Sequence, residues 1–331
     1  MYADSLAFFD LEGKPPVAHP DLCLKLAHLT CSHPFPGIIR GEMTASFEDV
    51  KNYFDKFKYC LNAQSRVNIL RNRAGLVENY SHTNVILGLQ NPPQDKLAMK
   101  WMAEEDIFFT TLAYYGAGVY GSGYNDKEGG LTERGKVFLQ DCADWGRIVD
   151  YSHASVKTIR DTMAFVDGEG LNLKVVITHA GLSSVFDHPR NLPDDVIKWV
   201  VNRRGGFIGV PMFMFFLDET DDSLEPFVKH LLCAVDKFGG DHVTIGSDTP
   251  YVHESEDVIK AHLKRLGGVL DPEGKTKPRE LQHPIKFYTP EKMRLVEEYL
   301  KSSVNDSTLE KLVGLNFFNW CKDNLPESMR M

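Results

Sequence analysis

Short apolar runs of strand length alternate with longer amphipathic segments almost to the C-terminus, and this rhythm constrains the fold more than any other feature. Runs over residues 6–9, 23–29, 85–89, 107–112, 148–151, 175–178, 207–210 and 243–246 predict eight strands, most followed by a helical pattern. Strand-then-helix order implies a parallel sheet, either doubly wound or closed into a barrel. The glycine-rich phosphate loop of a dinucleotide fold is missing after the first strand, where the chain reads Phe9-Asp10-Leu11-Glu12-Gly13. Eight strands favour the barrel. The expectation is one α/β domain over residues 1–331, a (β/α)8 TIM-type barrel with extra C-terminal helices.

The helices are legible from their ends. Ser46-Phe47-Glu48-Asp49 offers an N-cap with acidic residues in the first turn, opening a helix through the fifties and sixties. Thr132 and Pro193 mark further helix starts, while Gly205-Gly206 and Gly239-Gly240 mark stops directly before strands. Residues 265–290 are rich in Gly, Pro and charge and read as an irregular loop over the barrel, with helices over 291–301 and 306–316 completing the chain.

A net charge of −9 argues against a nucleic-acid backbone or an anionic membrane as the main partner. Six cysteines lie without a C-x-x-C pair, which suits free thiols in a reducing compartment better than a zinc ribbon or a disulfide scaffold. No signal-peptide pattern opens the sequence, and the most apolar run, 211–217, is too short to span a bilayer. A cytoplasmic location is expected.

In a closed parallel barrel the strand C-termini converge on the face that carries active sites. The residues ending the strands are Gln90, Tyr114, His153, His179 and Asp248. Two histidines on consecutive strands with a carboxylate on the last strand form a coherent set. Imidazole suits zinc, and a carboxylate can ligate or serve as general base toward a water that the metal activates. A metal-free His/Asp acid–base pair is the alternative. The loop Tyr114-Tyr115-Gly116-Ala117-Gly118 and its continuation to Tyr124 would overhang the site, either as a mobile lid or as an ordered wall. The aromatic cluster Phe213 to Phe216 reads as core or pocket wall.

Several stretches together resemble the renal (membrane) dipeptidases, peptidase family M19 of the amidohydrolase-like barrels. They are Gly129-Gly130-Leu131-Thr132-Glu133-Arg134-Gly135, Val149-Asp150-Tyr151-Ser152-His153, Thr178-His179-Ala180-Gly181, His188-Pro189-Arg190-Asn191-Leu192-Pro193 and Gly239-Gly240-Asp241-His242 running on to Ser247-Asp248. The resemblance implies that His153 and His179 ligate zinc, that Arg190 pairs with a substrate carboxylate, and that Asp248 faces the reacting centre. It also implies a homodimer. Gln90 stands where the family usually offers a glutamate bridging two metals, and Tyr114 where it often carries a substrate-contacting histidine.

The departures matter as much. A neutral amide bridges metals less well than a carboxylate. The family's His-x-Asp pair at the end of strand one is missing; His19-Pro20-Asp21 has the letters but lies further along, where a surface turn is the simpler reading. One zinc per chain is therefore expected, held by His153, His179 and Asp248, with Gln90 and His253 as subsidiary candidates and His33 behind them. The expected function is hydrolysis of a dipeptide or dipeptide-like small amide bearing a free carboxylate, with Asp248 moving the proton and Tyr114 contacting substrate. The alternatives are a one-metal hydrolase of another small amide, lactam or ester, and a non-catalytic protein that binds small carboxylates.

Overall fold

The computed structural model describes all residues except 10–15, 32–45, 77–80, 94, 96, 222, 271–286 and 328–331, and no side chain of 265–270. His33 and the stretch from Asp10 to Gly13 lie outside the described residues, as does most of the segment 265–290. Nine strands are described: β1 (Ala3–Ala7), β2 (Leu26–Cys31), β3 (Val67–Ile69), β4 (Thr83–Leu89), β5 (Ile107–Thr111), β6 (Ile148–Asp150), β7 (Lys174–Val176), β8 (Ile208–Val210) and β9 (Val243–Ile245). β1, β2, β4, β5, β6 and β7 pair in parallel in that order, and β8 pairs with β9. A parallel bridge from Ile177 to Ile208 joins the two sheets, and one from Phe8 to Pro250 returns to β1. The ring of eight closes as a barrel, with β3 as an extra short strand on β4.

β1 begins three residues before the expected run. Asp4 and Ser5 interrupt the apolar pattern, yet both are fully buried because they are fully bonded. The Asp4 carboxylate accepts from the Ser247 N–H and the Tyr251 hydroxyl, and Ser5 Oγ donates to the Thr178 carbonyl. β3 escaped the sequence reading because three residues carry too little periodicity.

The helices are α1 (Phe47–Asn62), α2 (Ala98–Glu104), α3 (Glu133–Asp144), α4 (Val156–Gly168), α5 (Asp194–Lys198), α6 (Glu225–Phe238), α7 (Glu256–Leu270), α8 (Lys292–Leu300), α9 (Asp306–Glu310) and α10 (Asn316–Asn324). Ser46 and Thr132 cap α1 and α3 as their sequence predicts, each accepting a backbone N–H three residues on. Gly239 ends α6 at φ 86°, a conformation costly for any residue with a Cβ. Two boundaries differ from expectation. α7 runs to Leu270, into the segment read as loop from 265, and the last helix continues to Asn324 rather than stopping near 316.

Phe317, Phe318 and Cys321 of α10 pack with Ala3, Leu26, Ile86, Phe108 and Phe207, near the starts of the strands. The C-terminal helix thus plugs the N-terminal face of the barrel. The opposite face, where the strands end, carries the polar residues.

Candidate active site

His153, His179 and Gln90 converge where β6, β7 and β4 end. The Nε2 atoms of the two histidines lie 2.8 Å apart, and Gln90 Nε2 lies 3.5 Å from one and 3.4 Å from the other. All three side chains are buried. Burial is the largest cause holding both imidazoles well below their usual pKa, and the Arg190 cation adds to it. Both rings are therefore neutral near pH 7, the form that ligates metals.

A buried carboxylate orients His179. Asp150 accepts four hydrogen bonds, from the Ser152 N–H, the Ser152 hydroxyl, the Thr178 N–H and the Thr178 hydroxyl. The Thr178 proton is thus committed to Asp150, so the Thr178 oxygen accepts from His179 Nδ1, 2.7 Å away. That fixes the His179 tautomer and leaves its Nε2 as a lone pair aimed into the site. Ser152 Oγ accepts the His179 backbone N–H.

His153 takes a left-handed backbone at φ 73°, and Asp248 another at φ 53°. Such outliers cost about 1–3 kcal/mol each and persist where surrounding structure imposes them. The Tyr114 ring stacks on His153, centroids 4.0 Å apart. The segment after Tyr114 is tied to its neighbours by backbone bonds: Gly123 N–H to Gly116, Tyr124 N–H to His153 and Ser155 N–H to Ser122. Tyr124, the last residue of the loop expected over the site, lies beside His153 and Arg190.

Arg190 is buried and only partly satisfied. Its Nη2 donates to the His179 carbonyl at 2.8 Å, whereas among the described residues Nε and Nη1 have no partner. The guanidinium lies over the Tyr124 and Phe216 rings, at 6.0 and 5.6 Å from their centroids. Orphan donors on a buried cation are costly unless a ligand meets them. Asp248 interacts electrostatically with this cation, yet burial pushes its carboxyl up to about 7. Among the described residues no hydrogen bond reaches that carboxylate. The segment carrying Asp248 is held by Asp4 on Ser247 and by buried Lys292, whose Nζ donates to the Thr249 and Pro250 carbonyls.

Not every expected residue joins the pair. Among the described residues, no group of three potential ligands with ligand atoms within 4.8 Å includes His153 and His179, so Asp248 stands off from them in this arrangement. His253 lies elsewhere, beside His19 and Asp21 on the surface. A further histidine was missed because it sits inside a strand. His28 on β2 is buried, places Nδ1 2.8 Å from the Ser5 carbonyl and, among the described residues, has no partner for Nε2. It fits only because position 88 is glycine: a Cβ there would stand 1.9 Å from its Nε2. Burial lowers its pKa to about 4.

The donor set fits a zinc-like ion. Two neutral imidazoles present nitrogen at one point, and turning the Gln90 amide over would offer its oxygen there instead of nitrogen.

Residues 52–263 match the model of the membrane dipeptidases, peptidase family M19. The dipeptidase verJ of Clonostachys rogersoniana is 28% identical over 229 residues, covering 68% of this chain and 50% of that protein. The chain spans between a third and a half of the length of the curated relatives it matches. Among solved structures, an amidohydrolase from Pseudomonas aeruginosa superposes with TM-score 0.75 at 19% identity, covering 98% of this chain and 96% of its own. A metallopeptidase from Rhodobacter sphaeroides, liganded with a phosphinate mimic of the dipeptide L-Ala-D-Ala, gives TM-score 0.70 at 16% identity and covers 98% of both chains. These two likenesses show the fold. With the family model matched from helix α1 through most of α7, across the two histidines, Arg190 and Asp248, the chain belongs to the membrane dipeptidase family, peptidase family M19.

Proposed function

We propose that this chain is a metal-dependent hydrolase of a dipeptide or dipeptide-like small amide with a free carboxylate. The observation that carries the reading is the meeting of two buried, neutral imidazoles at 2.8 Å on the strand-end face. His153 and His179 would hold one zinc ion, with the Gln90 amide beside them. A bound zinc ion supplies Lewis acidity and brings the acidity of a water molecule toward neutral pH.

The chain's own groups do the rest. The orphaned Nε and Nη1 of Arg190 receive the substrate carboxylate in a planar fork. That contact fixes the substrate relative to the histidines, and positioning of this kind is a large part of catalysis. Asp248, with a carboxyl near pKa 7, is suited to take a proton from the attacking water and pass it to the leaving amine. Tyr114 and Tyr124 wall the site and keep bulk water from the reacting amide. The dipeptidase names of the curated relatives and the dipeptide mimic bound by the Rhodobacter sphaeroides protein support this substrate class. The homodimer that family resemblance implies belongs to the same reading, and sedimentation analysis tests it.

Gln90, in place of a bridging carboxylate, favours a second reading: a one-metal hydrolase that acts on another small amide, lactam or ester. Turnover of a dipeptide panel against N-acylated amino acids, with added Zn2+ or Mn2+, separates the two. Robust hydrolysis of dipeptides supports the first, and cleavage of the acylated compounds alone supports the second.

A further inference from the structure

We propose that His19, Asp21 and His253 form a second, peripheral site for a divalent metal such as Zn2+, on the flank of the barrel where β1 meets β9. The three residues come from segments far apart in sequence, and each is delivered by a defined local structure. His19-Pro20-Asp21-Leu22 is a tight turn: the Leu22 N–H donates to the His19 carbonyl at 3.0 Å, with Pro20 in the position whose φ the turn requires. The Asp21 N–H donates to His19 Nδ1 at 3.2 Å, so that nitrogen is the unprotonated one, and an ion would take its lone pair in place of this long hydrogen bond. His253 arrives from the other side, on the segment that follows β9 and pairs with β1 through the Tyr251 N–H and the Phe8 carbonyl.

Asp21 Oδ2 lies 3.6 Å from His19 Nδ1 and 4.0 Å from His253 Nε2. The two imidazoles meet edge to face with centroids 4.4 Å apart. Ligand atoms of all three residues lie within 4.8 Å of one another. Zinc bonds of about 2.1 Å in a tetrahedral set hold neighbouring ligand atoms roughly 3.4 Å apart. The side chains are 30%, 60% and 51% exposed for His19, Asp21 and His253, so closing the remaining gap takes side-chain rotation alone. Two imidazoles and one carboxylate are a borderline donor set suited to zinc, with a fourth position open to water.

As a bare ion pair, an exposed His–Asp–His cluster would contribute about 1 kcal/mol or less. With an ion bound it would fasten the β1–β2 connection to the segment after β9, across the line where the barrel closes. Among the described residues no hydrogen bond, ion pair or ring contact joins this cluster to His153 or His179, so it stands apart from the reading of the barrel site.

The test is zinc titration of the full chain by equilibrium dialysis and thermal melting. In the double variant His153→Ala/His179→Ala, one equivalent of Zn2+ should remain, and its binding should raise Tm. Adding His19→Ala and His253→Ala should abolish that equivalent, weakening affinity by at least the ~10–100-fold that loss of an outer-shell partner costs at a metal site. Should the barrel variant fail to fold, His19→Ala/His253→Ala in the otherwise natural chain should bind one equivalent fewer than the unmodified protein. Equal zinc content and affinity with and without His19 and His253 would overturn the proposal.

Discussion

His179 Nδ1 donates to the Thr178 hydroxyl oxygen, 2.7 Å away, because the Thr178 proton is committed to the Asp150 carboxylate. The site consequently depends on a hydroxyl outside the metal position. Thr178→Val removes the acceptor for His179 Nδ1 while keeping the side chain's shape. Zinc affinity should fall about 10–100-fold, as measured by competition with a chelator, with the circular dichroism spectrum unchanged. Unaltered affinity would mean that the hydroxyl does not orient the ring.

Gln90 sets the charge of the site. Replacing it with Glu places an anion about 3.4 Å from both imidazole nitrogens, where it attracts a divalent cation strongly in a buried setting. Gln90→Glu should tighten zinc binding by at least about tenfold and favour a second ion. Gln90→Leu should weaken it. Calorimetric titration of the three proteins gives the ranking, and a glutamate variant that binds no more tightly would remove Gln90 from the metal's surroundings.

Arg190 discriminates by charge. Hydrogen bonds to charged groups contribute about 1.5–3 kcal/mol each, so Arg190→Met should reduce kcat/KM for substrates with a free carboxylate by about 10–100-fold. Most of the change should fall on KM. C-terminally amidated substrates should lose little, and equal losses on both kinds would show that Arg190 serves folding rather than recognition.

The metal-free protein should show a pH signature from Asp248. Its carboxyl titrates near 7 when folded and near 3.8 when unfolded. Between those values the native state keeps a proton that the unfolded chain releases, so the stabilising contribution is full below pH ~4 and is lost as pH rises to 7. Asp248→Asn cannot ionise. In chelator-treated protein the variant should match the parent near pH 4 and exceed it by about 2 kcal/mol at pH 8, allowing for screening. Urea unfolding across that range is the check, and a difference independent of pH would contradict the assigned titration.

The barrel was legible because its strands are continuous apolar runs and its helices carry caps at Ser46 and Thr132. The histidines at the strand ends were legible for the same reason, since knowing where β6 and β7 stop places His153 and His179 on one face. What escaped lies where polar residues are buried inside strands. Asp4 moved the start of β1, and His28 gave no outward sign, because a polar residue buried in a barrel core breaks the apolar pattern without announcing its surroundings. Lys292 opens α8 like any charged surface residue, yet it is buried against the Asp248 segment. His253 could not be paired with His19 from sequence, since only closure of the barrel brings them together.

Zinc content bears most directly on the central claim. After zinc loading and desalting, the parent chain, His153→Ala and His179→Ala should be compared by elemental analysis. Each variant should carry one equivalent of zinc fewer than the parent. Unchanged zinc content in both variants would contradict the assignment of this pair as the metal centre.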